Sequence, residues 1–172
     1  MVESDILDPR YSEEVPLGDG LRIRIRRLGP SDREKLLEGF RRLSSNSRYF
    51  RFFTPKHQLS DTELHFLTEP DGRNHLALVA VRLDSDGQEM EGVGVARFVR
   101  IPEEDGAAEP AITVTDAMQG HGIGTVLCDR LSRAALESGV DQFRCHVLAE
   151  NRRVQKMIFR LFEGVRISRK GS

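Results

Sequence analysis

A predicted strand, a glycine-rich turn and a predicted helix start follow one another in the segment EPAITVTDAMQGHGIGT, residues 109–125. Its first six residues are typical of a β-strand, and the residues after position 125 repeat apolar side chains at helical spacing. Three glycines, Gly120, Gly122 and Gly124, stand between the two elements. A helix N-terminus carries free N–H groups and a partial positive charge, and glycines let an anion approach the backbone closely. The segment therefore predicts a phosphate-binding loop, with a turn chosen only for its geometry as the alternative.

The spacing of these glycines does not match two familiar nucleotide-binding loops. A P-loop needs Gly-Lys-Ser/Thr after its glycines, and no such triplet follows here. A dinucleotide fingerprint needs G-x-G-x-x-G, but its last position, counted from Gly120 and Gly122, is Thr125. The remaining pattern is Q-x-x-G-x-G, formed by Gln119, Gly122 and Gly124.

Alternating and helical patterns on both sides of this segment predict a mixed α/β fold. LRIRIRRL at residues 21–28 alternates apolar and charged residues, as a half-buried strand does. HLALVAVRL and MEGVGVARFVR, joined through a turn at DSDG, are typical of a hairpin. Gly92 and Gly94 in its second strand indicate a bulge or a close backbone approach. After a helix that ends near Gly139, DQFRCHVL predicts a strand at residues 141–148 and NRRVQKMIFRLF predicts a final helix.

Three helical segments lie between the first strand and the hairpin. The first is predicted over residues 31–43, and a capping box of Ser31 and Glu34 opens it. A short second helix follows in SSNSRYFRFF, and a second capping box, Ser60 with Glu63, opens the third.

The composition excludes several classes of protein. The chain has 172 residues, of which 38% are hydrophobic and 31% are charged, as expected for a single globular domain. Its formal net charge of −1 offers no field that would attract nucleic acid or an anionic membrane. No apolar run could span a bilayer, and the acidic start lacks a signal-peptide core, so we expect a cytoplasmic protein. Residues 1–20 are predicted to be a flexible leader and residues 21–172 a single domain.

Neither the cysteines nor the histidines form a metal-binding pattern. Cys128 and Cys145 match no zinc motif and no disulfide framework, and both lie in apolar patterns, so we interpret them as reduced core residues. His121 and His146 have no partner at a ligand spacing, so no metal is predicted. We expect His121 to be exposed rather than catalytic.

The Q-x-x-G-x-G pattern resembles the coenzyme A pyrophosphate loop of the GNAT superfamily of N-acetyltransferases. LAEN at residues 148–151, followed by a helix, resembles the second coenzyme-binding segment of that superfamily. With LSSNSRYFRFF, GVGVARFVR and VLAENRRV, the chain is most similar to the GNAT domain of bacterial protein lysine acetyltransferases, over residues 21–162. The resemblance implies a mixed α/β GNAT fold, in which helices flank a mostly antiparallel sheet.

The resemblance also implies direct acetyl transfer from acetyl-CoA to an amine, without a covalent enzyme intermediate. It implies that Ile112, Thr113 and Val114 pair with the pantetheine arm as an added strand does. A backbone N–H near Val114 would polarise the thioester carbonyl, and Asn151 would hydrogen-bond the coenzyme from the far side of the cleft. The loop residues implied to hold the pyrophosphate are Gln119, Gly120, His121, Gly122, Ile123, Gly124 and Thr125.

Glu109 is the candidate general base, because similar lysine acetyltransferases carry theirs at the start of the strand before the glycine loop. A lysine amine has a pKa of about 10.4 and is almost fully protonated at pH 7. A buried carboxylate tuned toward neutrality is suited to take its proton. The alternative for Glu109 is a solvated strand-edge glutamate. Weaker substitutes lie in the adjacent loop: Glu103, Glu104 and Asp105.

The aromatic segment SRYFRFF bears on the acceptor. Its rings are suited to line the amine-binding side of the cleft, with Arg48 and Tyr49 as substrate contacts. The equal alternative is that the rings fill the core. A protein lysine side chain is the first candidate acceptor, and a small-molecule amine or a protein N-terminus is the alternative.

Three features depart from the family pattern. Many relatives carry a tyrosine general acid seven residues after the asparagine, where this chain has Ile158. Pro110 follows Glu109 and removes a backbone N–H. After the last helix only EGVRISRKGS remains, so the C-terminal strands of the fold are expected to be shortened or missing. These departures favour the second class of function, a non-catalytic module that senses acyl-CoA. An exposed strand edge also favours a homodimer.

Overall fold

A six-stranded β-sheet carries helices on both faces in the computed structural model, which describes residues 5–169. The strands are β1 (Ser12–Pro16), β2 (Arg22–Arg27), β3 (His75–Leu83), β4 (Glu89–Arg100), β5 (Ala107–Val114) and β6 (Gln142–Phe143). The helices are α1 (Arg33–Arg41), α2 (Ser45–Phe52), α3 (Asp61–Thr68), α4 (Ile123–Glu137) and α5 (Arg152–Leu161). Strands adjoin in chain order and are antiparallel, except that β5 and β6 run parallel. The predicted mixed, mostly antiparallel α/β fold is confirmed.

β3 lies in the centre of the sheet, and a helical layer covers each of its faces. Leu78 belongs to one apolar cluster together with Leu127 of α4. Its neighbour Val79 belongs to a second cluster together with Leu36 of α1. Because successive strand residues point to opposite faces, a strand covered on both sides is apolar along its whole length. This burial explains the nearly continuous apolar run HLALVAVRL.

The glycines of β4 lie at a bulge and at a close contact, so both interpretations of them are confirmed. The register between β3 and β4 shifts at Val93, and Gly92 and Gly94 oppose consecutive residues of β3. A Cβ atom on Gly94 would lie 2.9 Å from Cδ1 of Leu127. The missing side chain therefore lets α4 approach the sheet.

The segment before β2 packs against the sheet, which corrects the expectation of a flexible leader. Ile6 and Tyr11 are 1% and 5% exposed, and β1 pairs with β2. Arg130 of α4 donates to both carboxylate oxygens of Glu13 at 2.8 and 2.7 Å. These bonds lower the pKa of Glu13 to about 2. The polar sequence SEEVP gave no strand signal because β1 is an edge strand. Residues 1–4 of the predicted leader lie outside the described range.

The start of α1 differs from the prediction because Asp32 is engaged by residues of other elements. Asp32 is 2% exposed and accepts bonds from the guanidinium of Arg26 at 2.9 and 2.8 Å. It also accepts a bond from the Gly29 N–H at 3.1 Å. As a result the helix begins at Arg33, and no side-chain hydrogen bond of the predicted Ser31 box caps it.

The second predicted capping box is confirmed. Oγ of Ser60 accepts a bond from the Glu63 N–H at 3.1 Å, and the Glu63 carboxylate accepts one from the Ser60 N–H at 2.8 Å. The helix preceding this box, α2, has Ser44 as its N-cap, which accepts a bond from the Ser47 N–H at 3.1 Å.

The predicted strand at residues 141–148 is reduced to two residues. β6 pairs with the start of β5, and the chain then leaves the sheet. Cys145 is therefore exposed, which corrects its assignment to the core, whereas Cys128 of α4 is buried as predicted. Between the end of α5 and residue 169 the described chain forms no further strand.

Candidate active site

The outer edge of β5 is open over most of its length. β6 pairs only with Ala107 and Ala108, and the Arg144 N–H donates to the Ala108 carbonyl at 2.9 Å. In an antiparallel ladder, successive residues direct their backbone polar groups to alternate sides. Ile112 and Val114 therefore direct theirs to the same side as Ala108. Within the described chain no strand pairs with this part of the edge, so an extended ligand has space to add to it.

The same alternation explains how the strand tolerates Pro110. Its nitrogen lies on the open side, where no neighbouring strand needs an N–H donor. Glu109 pairs with Val99 of β4, so its backbone stays in the ladder. Thr113, predicted to pair with the coenzyme, directs its backbone toward Val95 of β4 instead.

The glycine loop leads into the start of α4, where no side chain caps the helix. Gly120 and Gly122 have φ of 82° and 86°, in the left-handed region that glycine adopts without strain. Gly122 is the N-cap of α4 and makes no side-chain cap hydrogen bond. The first N–H groups of a helix have no partner within the helix, so they are available to an anion. Ile123, 1% exposed, anchors this start in the core.

Side chains around the loop connect it to α5. Arg153 donates to Oε1 of Gln119 at 2.8 Å, and Gln119 donates to the Val114 carbonyl at 3.0 Å. Arg160 donates to Oγ1 of Thr125 at 2.8 Å. The Gln119 amide therefore bridges the end of β5 and α5, and two arginines lie beside the loop.

Two further predicted coenzyme contacts have structural partners. His121 is exposed, as predicted, and its Nδ1 lies 3.2 Å from the Met118 carbonyl oxygen. Asn151 is the N-cap of α5, and its Oδ1 accepts a bond from the Val154 N–H at 3.3 Å. A Cβ atom on Gly124 would lie 3.8 Å from the Met157 sulfur, so α5 packs across the start of α4.

Glu109 is the first residue of β5 beyond its pairing with β6, and it is exposed. The fold therefore does not provide the buried carboxylate that the chemistry suggested. The charge of Glu109 acts on Arg51 of α2. Burial lowers the pKa of Arg51, and the Glu109 carboxylate opposes that effect. No ion pair within 4.0 Å joins the two in the described part of the chain.

A cavity of about 80 Å³ lies between the first two helices and the strands β4 and β5. It is much larger than the roughly 10–15 Å³ that one water molecule needs. Ala111 and Thr113 line it from β5, and Arg97 lines it from β4. Glu109 shares their side of the strand, because alternate residues face the same way. The cavity is thus on the candidate base's side of the sheet.

Arg97 is held at the cavity wall by a buried network. It is 4% exposed, and its Nη1 donates to the Leu67 carbonyl at 3.0 Å and contacts Nε2 of His75 at 2.9 Å. Burial lowers the pKa of Arg97 to about 9, with a smaller contribution from the charge of Arg51. Burial, followed by the charge of Arg97, lowers the pKa of His75 to about 4. The ring is therefore neutral and accepts the Arg97 bond at Nε2.

The two predicted acceptor contacts have different surroundings. The Arg48 guanidinium donates to four backbone carbonyls, including those of Phe40 at 3.2 Å and Arg41 at 3.3 Å, and lies 4.3 Å from the Phe40 ring centroid. These bonds hold α2 against α1. Tyr49 is 40% exposed, whereas Phe52 of the same helix lines the cavity. Rings of this segment therefore occupy both environments that the sequence left open.

Sequence reasoning missed Arg51 and Arg97. The sequence does contain a feature that could have indicated Arg97. This charged residue interrupts the small and apolar residues of GVGVARFVR at a position that faces a helix. Arg51 lies one helical turn after Arg48, in the segment whose aromatic residues drew attention.

Neither a metal cluster nor a membrane span is present in the part of the chain that the structure describes. No group of three or more His, Cys, Asp or Glu side chains is placed to hold a metal ion within residues 5–169. Over the same residues, no helix has the length and apolar character required to cross a membrane.

Several known proteins are similar to this chain in sequence. A family model described as an acetyltransferase (GNAT) domain matches residues 22–161. A Pseudomonas aeruginosa protein named as an acetyltransferase is 34% identical over 141 residues, which are 82% of this chain and 74% of that protein. The acetyltransferase Pat of Mycolicibacterium smegmatis is 34% identical over 132 residues. These residues make up 77% of this chain but only 38% of Pat.

The solved structures agree with the sequence relatives. The crystal structure of the GNAT domain of S. lividans PAT superimposes with a TM-score of 0.78 at 30% identity. The match covers 87% of this chain and 86% of that domain. The family match over residues 22–161 includes the open strand edge, the glycine loop and the start of α4.

Proposed function

The chain belongs to the GNAT acetyltransferase family, and on that premise we propose that it transfers the acetyl group of acetyl-CoA to a protein lysine side chain. The observation that carries the proposal is the open edge of β5, which leads directly into an uncapped helix start through two left-handed glycines. An extended pantetheine arm followed by a pyrophosphate matches both parts of that surface in order.

The coenzyme is held mainly by backbone groups in this proposal. Ile112 and Val114 offer their polar groups to the pantetheine amides, and the Val114 N–H polarises the thioester carbonyl. The N–H groups at the start of α4 bind the pyrophosphate, supported by Arg153 and Arg160 beside the loop. Asn151 keeps its amide nitrogen for the coenzyme, since its oxygen caps α5.

Glu109 is the general base of the proposed reaction. The lysine ammonium gives one proton to Glu109, and the neutral nitrogen then attacks the thioester carbonyl carbon. A C–N bond forms and the C–S bond breaks, with the electron pair leaving on the coenzyme sulfur. The second nitrogen proton passes to water. A thiol has a pKa of about 8.5, so its thiolate leaves without a protein acid at Ile158.

A protein acceptor suits the exposure of this site. Glu109 is open to solvent, so a long side chain on another protein can reach it without entering the cavity. The exposed ring of Tyr49 lies on the neighbouring helix and offers an apolar surface to the methylene stem of a lysine. The relative named Pat matches 77% of this chain, and the GNAT domain of PAT matches 87% of it.

The proposal is tested by replacing the base while keeping the coenzyme site. We expect Glu109→Gln to bind acetyl-CoA as the wild type does in calorimetry, and to lose about 100-fold or more of kcat, since general base catalysis contributes roughly that much. Isotopically labelled acetyl-CoA and a deacetylated lysate, read by mass spectrometry, identify the lysines that receive the group. Glu137→Gln, an exposed change at the end of α4, is the matched control and keeps the wild-type rate.

Two outcomes would contradict the proposal in different ways. Label on free amines but not on protein lysines would replace the lysine with a small-molecule acceptor. Tight acetyl-CoA binding without transfer to any amine would support the acyl-CoA-sensing module. The presence of Ile158, where many relatives have a tyrosine, favours that alternative. A Glu109→Gln variant with the wild-type rate would show that another group takes the proton.

A further inference from the structure

The cavity beside the candidate base is apolar but carries excess positive charge. Most of its wall is built from Leu, Val, Phe and Gly residues, yet Lys35, Arg51 and Arg97 also line it. Among the described residues, Asp32 is the one acidic residue of this lining, and its oxygens already accept bonds from Arg26. A cation in an apolar wall is unfavourable unless an anion or hydrogen-bond acceptors compensate it.

Most of the arginine donors at this wall have no hydrogen-bond acceptor among the residues that the structure describes. No hydrogen bond from the Arg51 guanidinium occurs in the described part of the chain, and its central carbon lies 4.9 Å from the centroid of the Phe52 ring. Arg97 uses only Nη1, toward Leu67 and His75, so its Nε and Nη2 make no hydrogen bond within residues 5–169. Neither guanidinium forms an ion pair with a described carboxylate.

Glu109 compensates this pair only in part. Its charge acts on Arg51, but its carboxylate is exposed and forms no ion pair with Arg51 within residues 5–169. Burial lowers the pKa of Arg97 to about 9, and the charge of Arg51 adds to this effect, so the two cations at this wall repel each other.

We propose that this cavity is an acyl subsite in which Arg51 and Arg97 bind the terminal carboxylate of a short dicarboxylic acyl group, as in succinyl-CoA. The proposal rests on the proposed function, because it places the thioester at the open edge of β5. The cavity adjoins that edge through Ala111 and Thr113, so the acyl chain extends under α2 toward the two guanidinium groups. Two forked cations match a carboxylate in geometry and in charge.

The chemistry of transfer is unchanged for such a donor. The amine nitrogen attacks the thioester carbonyl, the C–N bond forms, and coenzyme A leaves as the thiolate. One amine proton goes to Glu109 and the other to water. The distal carboxylate takes no part in bond changes and remains in the amide product, where a modified lysine exchanges its positive charge for a negative one.

The test compares donors of equal chain length that differ in the terminal charge. Transfer rates from succinyl-CoA and from neutral butyryl-CoA are measured with the wild type, Arg51→Met and the exposed control Arg41→Met. We expect the wild type and Arg41→Met to prefer succinyl-CoA in kcat/KM. Arg51→Met should lower the succinyl-to-butyryl ratio by roughly 10- to 100-fold, as loss of a charge-assisted hydrogen bond does. Arg51→Lys should restore part of the ratio because it keeps the charge.

The opposing results separate this proposal from the proposed function. Wild-type transfer of acetyl with no preference for succinyl over butyryl, or an unchanged ratio in Arg51→Met, overturns the carboxylate subsite and leaves the acetyltransferase intact. An Arg51→Met effect that appears only with carboxylate-bearing acceptor amines, with acetyl-CoA as the donor, assigns the carboxylate to the acceptor and also overturns the acyl assignment. Absence of binding of every thioester in calorimetry overturns both proposals.

Discussion

His75 is a histidine whose protonation the fold opposes. Its ring is 6% exposed, stacks on Phe66 with centroids 4.6 Å apart, and accepts a bond from the Arg97 guanidinium. Protonation would place a second cation beside Arg97 and remove the acceptor. The ring therefore positions Arg97 only while it stays neutral.

The stability of the protein should depend on pH through His75. Its pKa is about 4 when folded, against an ordinary value of 6.5, so the unfolded chain binds more protons as the pH falls. Stability is lost between about pH 6.5 and pH 4, and about 1.4 kcal/mol of the loss occurs between pH 7.5 and pH 5.5. Urea unfolding at these two pH values measures it.

Two variants separate this residue from the other histidines. His75→Gln keeps an acceptor for Arg97 without a titrating ring, so its stability should lose this dependence on pH. His146→Gln removes an exposed ring and should keep the wild-type slope. Equal slopes in the wild type and His75→Gln would contradict the assignment.

At the scale of elements, the contact between α4 and β4 orients the glycine loop. Gly94 is the closest point of this contact, since a Cβ atom there would meet Leu127 at 2.9 Å, the Thr113 carbonyl oxygen at 3.2 Å and Ile123 at 3.3 Å. Ile123 is the first residue of α4, so any shift of the helix moves the free N–H groups at its start.

Gly94→Ala should therefore destabilise the fold. The added methyl group meets the backbone and two core side chains, and such overpacking costs about 1–3 kcal/mol. Gly92→Ala is the control two positions away, where the nearest atoms to a Cβ lie 3.7 Å away, in ordinary contact. Thermal unfolding of both variants checks this, and an equally small effect at both positions would show that α4 moves freely.

The two predicted capping boxes show what local patterns can determine. Ser60 and Glu63 form theirs, because both partners lie within one turn and have no stronger alternative. The Ser31 box fails because Asp32 binds Arg26 on a strand and fixes where the helix starts. A local pattern therefore predicts where a helix starts only if no residue distant in sequence binds one of its side chains more strongly.

At the scale of the whole molecule, the first described residues hold the sheet and α4 together. Ile6 and Tyr11 enter the main core, and the Tyr11 hydroxyl donates to Glu13 at 2.6 Å. Glu13 in turn pairs with Arg130 of α4. The edge strand β1 is thus connected to α4 through Glu13 and Arg130, which lie 117 positions apart in the sequence.

Ile6→Ala should cost about 2–5 kcal/mol, because it opens a cavity in a core that cannot fully collapse. Denaturant unfolding measures the loss. Ser12→Ala, an exposed change nearby, should leave the stability close to that of the wild type. A small loss of stability in both variants would show that this segment is the flexible leader that the sequence suggested.

Periodicity and turn residues were sufficient to predict the order of the elements from β2 onward, the hairpin with its glycine bulge, and the strand, glycine loop and helix start of the candidate site. These features depend on periodicity, turn residues and glycine conformations within a few neighbouring positions. The tertiary structure was needed to show that β1 completes the sheet, that Glu109 is exposed, and that Arg51 and Arg97 line one cavity. Exposure and long-range pairing depend on which surfaces are brought together, and local patterns do not contain that information.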